Sequence, residues 1–134
     1  MREYGMSVVL DTDLATARTE VEAALIDQGF GVLTEIDVAA TLKNKLGKDV
    51  PAQVILGACN PHLADRALSA EPWIGLLLPC NVVLRDSDGR TVVSVIDPAT
   101  MVTCTGNRHL EPIAAEARLK LGAVLETISA RAVQ

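Results

Sequence analysis

Residues 82–96 read Val-Val-Leu-Arg-Asp-Ser-Asp-Gly-Arg-Thr-Val-Val-Ser-Val-Ile, and this stretch decides the fold class. Two apolar runs flank the tetrapeptide Asp-Ser-Asp-Gly at 86–89. An Asp-Gly pair between two such runs is a strong signal for a β-hairpin. We therefore predict two antiparallel strands, over Leu76–Arg85 and Arg90–Asp97.

The hairpin strands are apolar on both faces. Val82 and Leu84 point one way and Val83 the other, while Val93 and Val95 oppose Val92 and Ile96. A sheet with one face in water alternates apolar and polar residues instead. We expect both faces to be covered, one by the long helices and the other by a partner.

The rest of the chain supplies three more strands and two long helices. Asp11, Thr12 and Asp13 supply the N-cap chemistry of the first helix, and Gly29 is expected to end it. The second long helix begins between Arg108 and Glu111, because Pro112 fits only a first turn. The remaining predicted elements are strands at Tyr4–Leu10, Gly31–Ile36 and Ala52–Cys59, and short helical insertions at Asp37–Gly47, from Pro61 to Leu68, and after Asp97-Pro98.

This order, β-α-β-β-β-β-α, predicts a two-layer α+β fold. Its sheet is five-stranded and mainly antiparallel, with the two long helices on one face. We find no linker or repeat and expect a single domain over residues 1–134. The inward side of the short helix is predicted to carry Ala64, Ala67 and Leu68. The final helix is expected to bury Leu110, Ile113, Ala114, Ala117, Leu121, Val124, Leu125 and Ile128.

Composition excludes several classes of function. The chain has 134 residues, 17 acidic against 12 basic, and a net charge of −5, so it lacks the positive surface that nucleic acid requires. Apolar runs such as Ile74–Leu78 are too short to cross a bilayer. Residues 1–5 lack the apolar region of a signal peptide, which predicts a cytoplasmic protein with reduced thiols.

A candidate site follows from the strand order. In an antiparallel meander the end of the third strand lies beside the start of the fourth, and the fifth strand ends there too. Two predicted helices also begin in this region. The residues expected to converge at this end of the sheet are Cys59, Asn60, Cys80, Asn81 and Asp97, together with Met101.

These residues allow three kinds of role. Cys59 precedes a helix N-terminus, which lowers a thiol pKa, so Cys59 and Cys80 could serve a redox or enzymatic function. Cys59 and His62 have a metal-ligand spacing that Cys104 and His109 could complete. The third role is packing, since free cysteine is among the most buried residue types and Asn60 and Asp97 have the chemistry of helix caps. The sequence identifies neither a cofactor nor a reaction.

Several segments resemble one known family. They are Lys-Asn-Lys-Leu-Gly at 43–47, Ile-Leu-Gly-Ala-Cys-Asn-Pro at 55–61 and Gly-Leu-Leu-Leu-Pro-Cys-Asn-Val at 75–82. Residues 29–37, Asp97-Pro98 and Thr-Gly-Asn at 105–107 extend the match. On these segments the chain resembles the family named domain of unknown function 302. Trp73 and Cys104 depart from that pattern.

The resemblance implies a sheet with the topology of the TATA-binding protein, a long C-terminal helix and a homodimer, with no established activity. Topology of this kind does not imply DNA binding. Our leading hypothesis is a homodimeric domain that binds a small ligand or protein partner at its Cys-Asn end. The dimer is expected to use the helix-free sheet face or its rim, with Trp73 as a further contact. A thiol-based enzyme and a metal-binding module remain the alternatives.

Overall fold

The computed structural model describes residues 4–132, in which five strands form one sheet packed by helices. The strands are β1 (Gly5–Leu10), β2 (Gly31–Asp37), β3 (Gln53–Cys59), β4 (Cys80–Ser87) and β5 (Arg90–Ile96). The helices are α1 (Leu14–Asp27), α2 (Val38–Leu46), α3 (Pro61–Ala70), α4 (Thr100–Thr105) and α5 (Glu111–Ala132). Short 3₁₀ helices cover Pro72–Leu77 and Arg108–Leu110. The predicted α+β class is confirmed.

Every pair of neighbouring strands is antiparallel, in the order β1-β5-β4-β3-β2. The β4–β5 hairpin closes between Ser87 and Arg90, which are paired. Asp88 and Gly89 at its tip both have positive φ, 53° and 84°, as the tight turn of a two-residue hairpin loop requires. The hairpin predicted from the Asp-Gly pair is therefore confirmed.

The core lies between one face of the sheet and the helices α1 and α5. All eight residues predicted to face inward from the C-terminal segment are buried. Helix α1 contributes Ala17, Val21, Ala24 and Leu25, and the sheet contributes Val54, Leu56, Val82, Leu84, Val93 and Val95. At ~1.5–3 kcal/mol for each large aliphatic side chain, α5 is one of the main sources of stability.

The segment before β4 differs from the prediction. Leu76–Leu78 was expected to begin the strand, but Pro72–Leu77 forms a 3₁₀ helix and Leu76 is 80% exposed. The Glu71 carboxylate accepts a hydrogen bond from the Trp73 N–H at 3.4 Å and so favours a helical start. Pro79 has no N–H to donate to a strand ladder, so pairing starts only at Cys80.

Helix α3 also presents a different face from the predicted one. Leu63 and Ala67, four residues apart, are buried, whereas Leu68 is 44% exposed. The helix continues to Ala70, and its apolar side follows the spacing 63–67–70 that packs against α5. Ala67 is buried as predicted and Ala64 is half-buried, but the expectation that Leu68 faces inward was wrong, because the buried side of the helix is rotated towards Leu63.

A β-bulge changes the face that part of β2 presents. The register shifts between Val32 and Thr34, so that Glu35 lies opposite Leu56 on the helix side of the sheet. There the Arg18 guanidinium of α1 binds both Glu35 carboxylate oxygens, one of them at 2.7 Å, and holds the pKa of Glu35 below its usual range. This pair joins the edge strand to α1.

The other face of the sheet carries the second apolar set. Ile55, Val83, Val92 and Ile96 are half-buried there, alternating with the buried core residues as predicted. The two long helices pack on the opposite side. Within residues 4–132, no helix has the length and hydropathy that crossing a bilayer demands.

Candidate functional site

A small pocket opens at the end of the sheet where β3 finishes and β4 begins. Three sulfur-containing side chains contribute to it, those of Cys59, Cys80 and Met101, and the rest of the lining is almost entirely apolar. The other lining residues are Phe30, Ala58, Asn60, Leu63, Ala64, Ala67, Leu78, Pro79, Ile113 and Ala117.

Cys80 is placed by the register of β3 and β4. It pairs with Ala58, a fully buried residue, so its side chain lies on the helix side of the sheet. Burial, and to a lesser extent the negative charge of Cys59, raises the pKa of the Cys80 thiol to about 11. Cys80 is therefore neutral at physiological pH.

Cys59 is the last residue of β3 and pairs with Gly31 across the edge of the sheet. It is half-buried, and the next residue caps α3. Although strict alternation along β3 turns alternate side chains to opposite faces, Cys59 at the end of the strand lines the same pocket as Cys80.

Asn60 connects the pocket to the end of α1, and both ends of its amide are occupied. Its Oδ1 accepts a hydrogen bond from the Leu63 N–H at 3.3 Å, and its Nδ2 donates to the Gln28 carbonyl at 3.3 Å. Gly29 makes this approach possible: its φ is +83°, and a Cβ there would lie 3.1 Å from Asn60 Nδ2. Asn60 is therefore a structural clamp at the rim.

Met101 reaches the pocket from the short helix α4 and is 6% exposed. Asp97 positions the start of that helix. Its Oδ1 accepts from the Ala99 N–H at 2.9 Å, and its Oδ2 accepts from Arg118 Nε at 3.2 Å, which ties the turn to α5. Asp97 does not line the pocket, but it helps to hold Met101 in place.

Gly57 lets two neighbouring segments pack closely against β3, on the face opposite Cys80. A Cβ at this position would lie 2.2 Å from Thr34 Oγ1 and 2.8 Å from Pro79 Cγ. The absence of a side chain therefore lets β2 and the Leu78–Pro79 segment close over β3, and that segment leads directly into Cys80. Nothing in the sequence pattern distinguished this glycine from the others.

The remaining candidates lie elsewhere. Asn81 pairs with Gly57 and is exposed, since it follows Cys80 on the strand and points to the opposite face. His62 is exposed and outside the lining, as are Cys104 and His109, so the set proposed around Cys59-x-x-His62 is not brought together. Among residues 4–132, no three His, Cys, Asp or Glu side chains are grouped so that they could hold a metal ion.

The size of the pocket restricts what it can hold. Its cavity volume is about 30 Å³, and one buried water needs ~10–15 Å³. A metabolite-sized ligand occupies a pocket of roughly 300 Å³ or more. The geometry therefore accommodates a group of one to a few heavy atoms, in a pocket lined by two cysteines and a methionine.

Sequence reasoning identified the sulfur residues but missed most of the walls. Phe30, Leu63, Ile113 and Ala117 come from three different parts of the chain, and each follows the ordinary pattern of a core residue. Only the packing of α3 and α5 on the sheet shows that these residues leave a gap. No local signal distinguishes the lining of a small pocket from that of a filled core.

Comparison with known proteins gives one consistent result. The model of the family "Domain of unknown function DUF302" matches residues 6–128. A crystal structure of an uncharacterized conserved protein DUF302 from Bacillus stearothermophilus is 30% identical in sequence and superposes with a TM-score of 0.88. That match covers 95% of this chain and 99% of the other. No protein with a curated function matches the sequence.

Proposed function

The chain belongs to the DUF302 family of domains of unknown function, and we propose that it is a non-enzymatic binding domain holding a ligand of a few atoms among Cys59, Cys80 and Met101. The observation that carries this proposal is the convergence of these three side chains on one half-open pocket of about 30 Å³. They come from β3, β4 and α4, so their meeting is a product of the fold.

The chemistry of the lining favours binding over catalysis. A nucleophilic thiol needs a lowered pKa or an adjacent base, whereas burial raises the pKa of Cys80 to about 11. The residues that line the pocket include no histidine, lysine, arginine or carboxylate. A thiol enzyme built on Cys59 and Cys80 is therefore less well supported. The binding role requires free thiols, which fits the predicted location in the reducing cytoplasm.

Thiol reagents of different size test this proposal. We expect methyl methanethiosulfonate, which adds only a methylthio group, to modify Cys59, while the bulky reagent 5,5′-dithiobis(2-nitrobenzoate) modifies it far more slowly. Cys104, which is exposed on α4, is the internal control and should react readily with both. Peptide mass spectrometry assigns each rate. If Cys59 reacts with neither reagent, or with both as fast as Cys104 does, the pocket is not a small-ligand site.

The open sheet face supports a second part of the proposal, assembly as a homodimer. This face contains a shallow concavity with a volume of about 600 Å³, which is lined in part by Tyr4, Val9 and Val92. Arg85 is the only charged residue in its lining. Tyr4 is 62% exposed and Val9 53%. Five strands about 4.8 Å apart give a face with edges of roughly 24 and 20 Å. The area of this face is of the same order as the ~800 Å² that each partner buries in a standard interface.

A second copy is the occupant that this surface fits best. A two-fold axis brings the same apolar residues of each chain together, and a nearly uncharged face offers little to a charged partner. Light scattering should give twice the chain mass of 14.2 kDa at micromolar concentration. Val92→Lys on the open face should give a monomer, whereas Leu119→Lys on the exposed side of α5 should not. If only Leu119→Lys dissociates the dimer, or the wild-type chain is monomeric, this part of the proposal is wrong.

A further inference from the structure

The donor atoms in the pocket belong to one chemical class. Cys59 and Cys80 offer thiols, which release their protons when they bind a soft metal ion, and Met101 offers a thioether, while both polar ends of the Asn60 side chain are engaged. Hard cations such as Mg²⁺ and Ca²⁺ bind oxygen ligands, and the lining contains no free one. Zn²⁺ sites normally require four ligands, or three with a water. Thiolate and thioether together select a soft ion, above all Cu(I).

The size of the pocket agrees with this chemistry. A cavity of about 30 Å³ is too small for an organic metabolite but leaves space for a single metal ion in contact with its ligands. Cu(I) differs from Zn²⁺ in accepting two or three sulfur ligands without a bound water. Building on the function proposed above, we propose that the ligand is Cu(I), held by the Cys59 and Cys80 thiolates with the Met101 thioether as third ligand.

The surroundings also suit the charge of such a complex. One Cu⁺ with two thiolates has a net charge of −1. Helix α3, ten residues long, begins two residues after Cys59, and the positive end of its dipole faces this part of the sheet. The lining adds no carboxylate that would repel the complex. Phe30 and Ile113 add apolar surface to the lining.

Competition for Cu(I) tests this inference. The reduced protein is titrated under anaerobic conditions with Cu(I), supplied as its acetonitrile complex, in the presence of bathocuproine disulfonate. We expect one Cu(I) per chain to be withdrawn from the chelator. Cys59→Ser and Cys80→Ser should each lose this competition, and Met101→Leu should keep the stoichiometry at lower affinity. Cys104→Ser is the matched control and should behave as the wild type, since Cys104 lies outside the pocket.

A measurement on the wild-type protein tests the same inference without depending on whether the variants fold. Met101 and Met6 can be followed by their methyl NMR signals, and Met6 lies in a separate surface groove beside α5. Cu(I) should shift the Met101 signal and leave Met6 in place. If Cu(I) is not withdrawn, or Cys104→Ser abolishes binding, or Met101 does not shift, the Cu(I) assignment is wrong. Size-selective modification of Cys59 would then still support a small-ligand pocket, whereas its absence would remove both proposals.

Discussion

Gly57 gives the sharpest test of how closely β2 and the Leu78–Pro79 segment pack on β3. In Gly57→Ala the new methyl group would stand 2.2 Å from Thr34 Oγ1 and 2.8 Å from Pro79 Cγ, both far inside normal contact. The Thr34 hydroxyl can rotate away. The Pro79 ring can move only with the chain that enters β4 at Cys80, so we expect a real cost to the fold.

The expected loss of unfolding free energy is about 1–3 kcal/mol, the range for inserting a methyl group into a well-packed site. For a chain of this length the melting temperature falls by about 4 °C per kcal/mol, so a decrease of roughly 4–12 °C is expected. Differential scanning calorimetry under reducing conditions measures it. Gly31→Ala is the matched control in the same sheet, since a Cβ there meets no atom within 4 Å.

Thr34→Ala identifies the source of the strain. Combined with Gly57→Ala it removes the closer of the two contacts, so the double variant should recover part of the lost stability, with a coupling of about 0.5–3 kcal/mol. If Gly57→Ala melts at the same temperature as Gly31→Ala, the close packing of Gly57 against Thr34 and Pro79 is wrong, and a double variant that recovers no stability places the whole cost on Pro79.

Three further predictions concern stability and reactivity. Truncation after Asn107 should leave an unfolded or aggregated chain, which circular dichroism would detect. The eight buried residues of the C-terminal segment contribute more than the usual net stability of ~5–15 kcal/mol. A cooperative melt near the parent temperature would contradict this. Asn60→Ala should lower the free energy of unfolding in urea by about 2 kcal/mol, since it removes a helix cap and the hydrogen bond to the Gln28 carbonyl. Asn44→Ala, at an exposed position, should lower it little. Equal effects would show that Asn60 does not clamp the two segments together. Alkylation of Cys80 by iodoacetamide at pH about 8 should be roughly 20-fold slower than that of free cysteine. A pKa of about 11 leaves only ~0.1% of the Cys80 thiol ionised, and the higher nucleophilicity of its thiolate restores part of the rate. The rate should rise towards pH 11, and a plateau below pH 9 would refute the raised pKa.

The strands and the final helix could be predicted because their signals are local. Alternation in residues 82–96 and the Asp-Gly turn determine the hairpin, and eight apolar residues at helical spacing determine the buried side of the C-terminal segment. The Leu-rich run before Cys80 was mistaken for strand because its conformation depends on a capping carboxylate, Glu71, and on two prolines that bracket it. The bulge at Leu33 gave no local signal either, since it only adjusts the register between strands.

The candidate site was predictable in part. Strand order alone brings Cys59 near Cys80, and the helix start after Asp97 brings Met101 to the same end. Asn81 was expected at the same site, but the two-residue period of β4 turns its side chain to the face opposite that of Cys80. The volume of the pocket depends on how α3 and α5 meet the sheet, a property of packing between distant segments that no sequence pattern records.

The most direct test of the pocket as a binding site is a crystal structure of the protein soaked with methylmercury. This ligand has two heavy atoms and binds single thiolates, and the anomalous signal of mercury locates it without ambiguity. Our account predicts mercury inside the pocket, bound to Cys59 or Cys80 and in contact with Met101. Mercury on Cys104 alone, or on Cys59 but directed to the open face of the sheet, would contradict it.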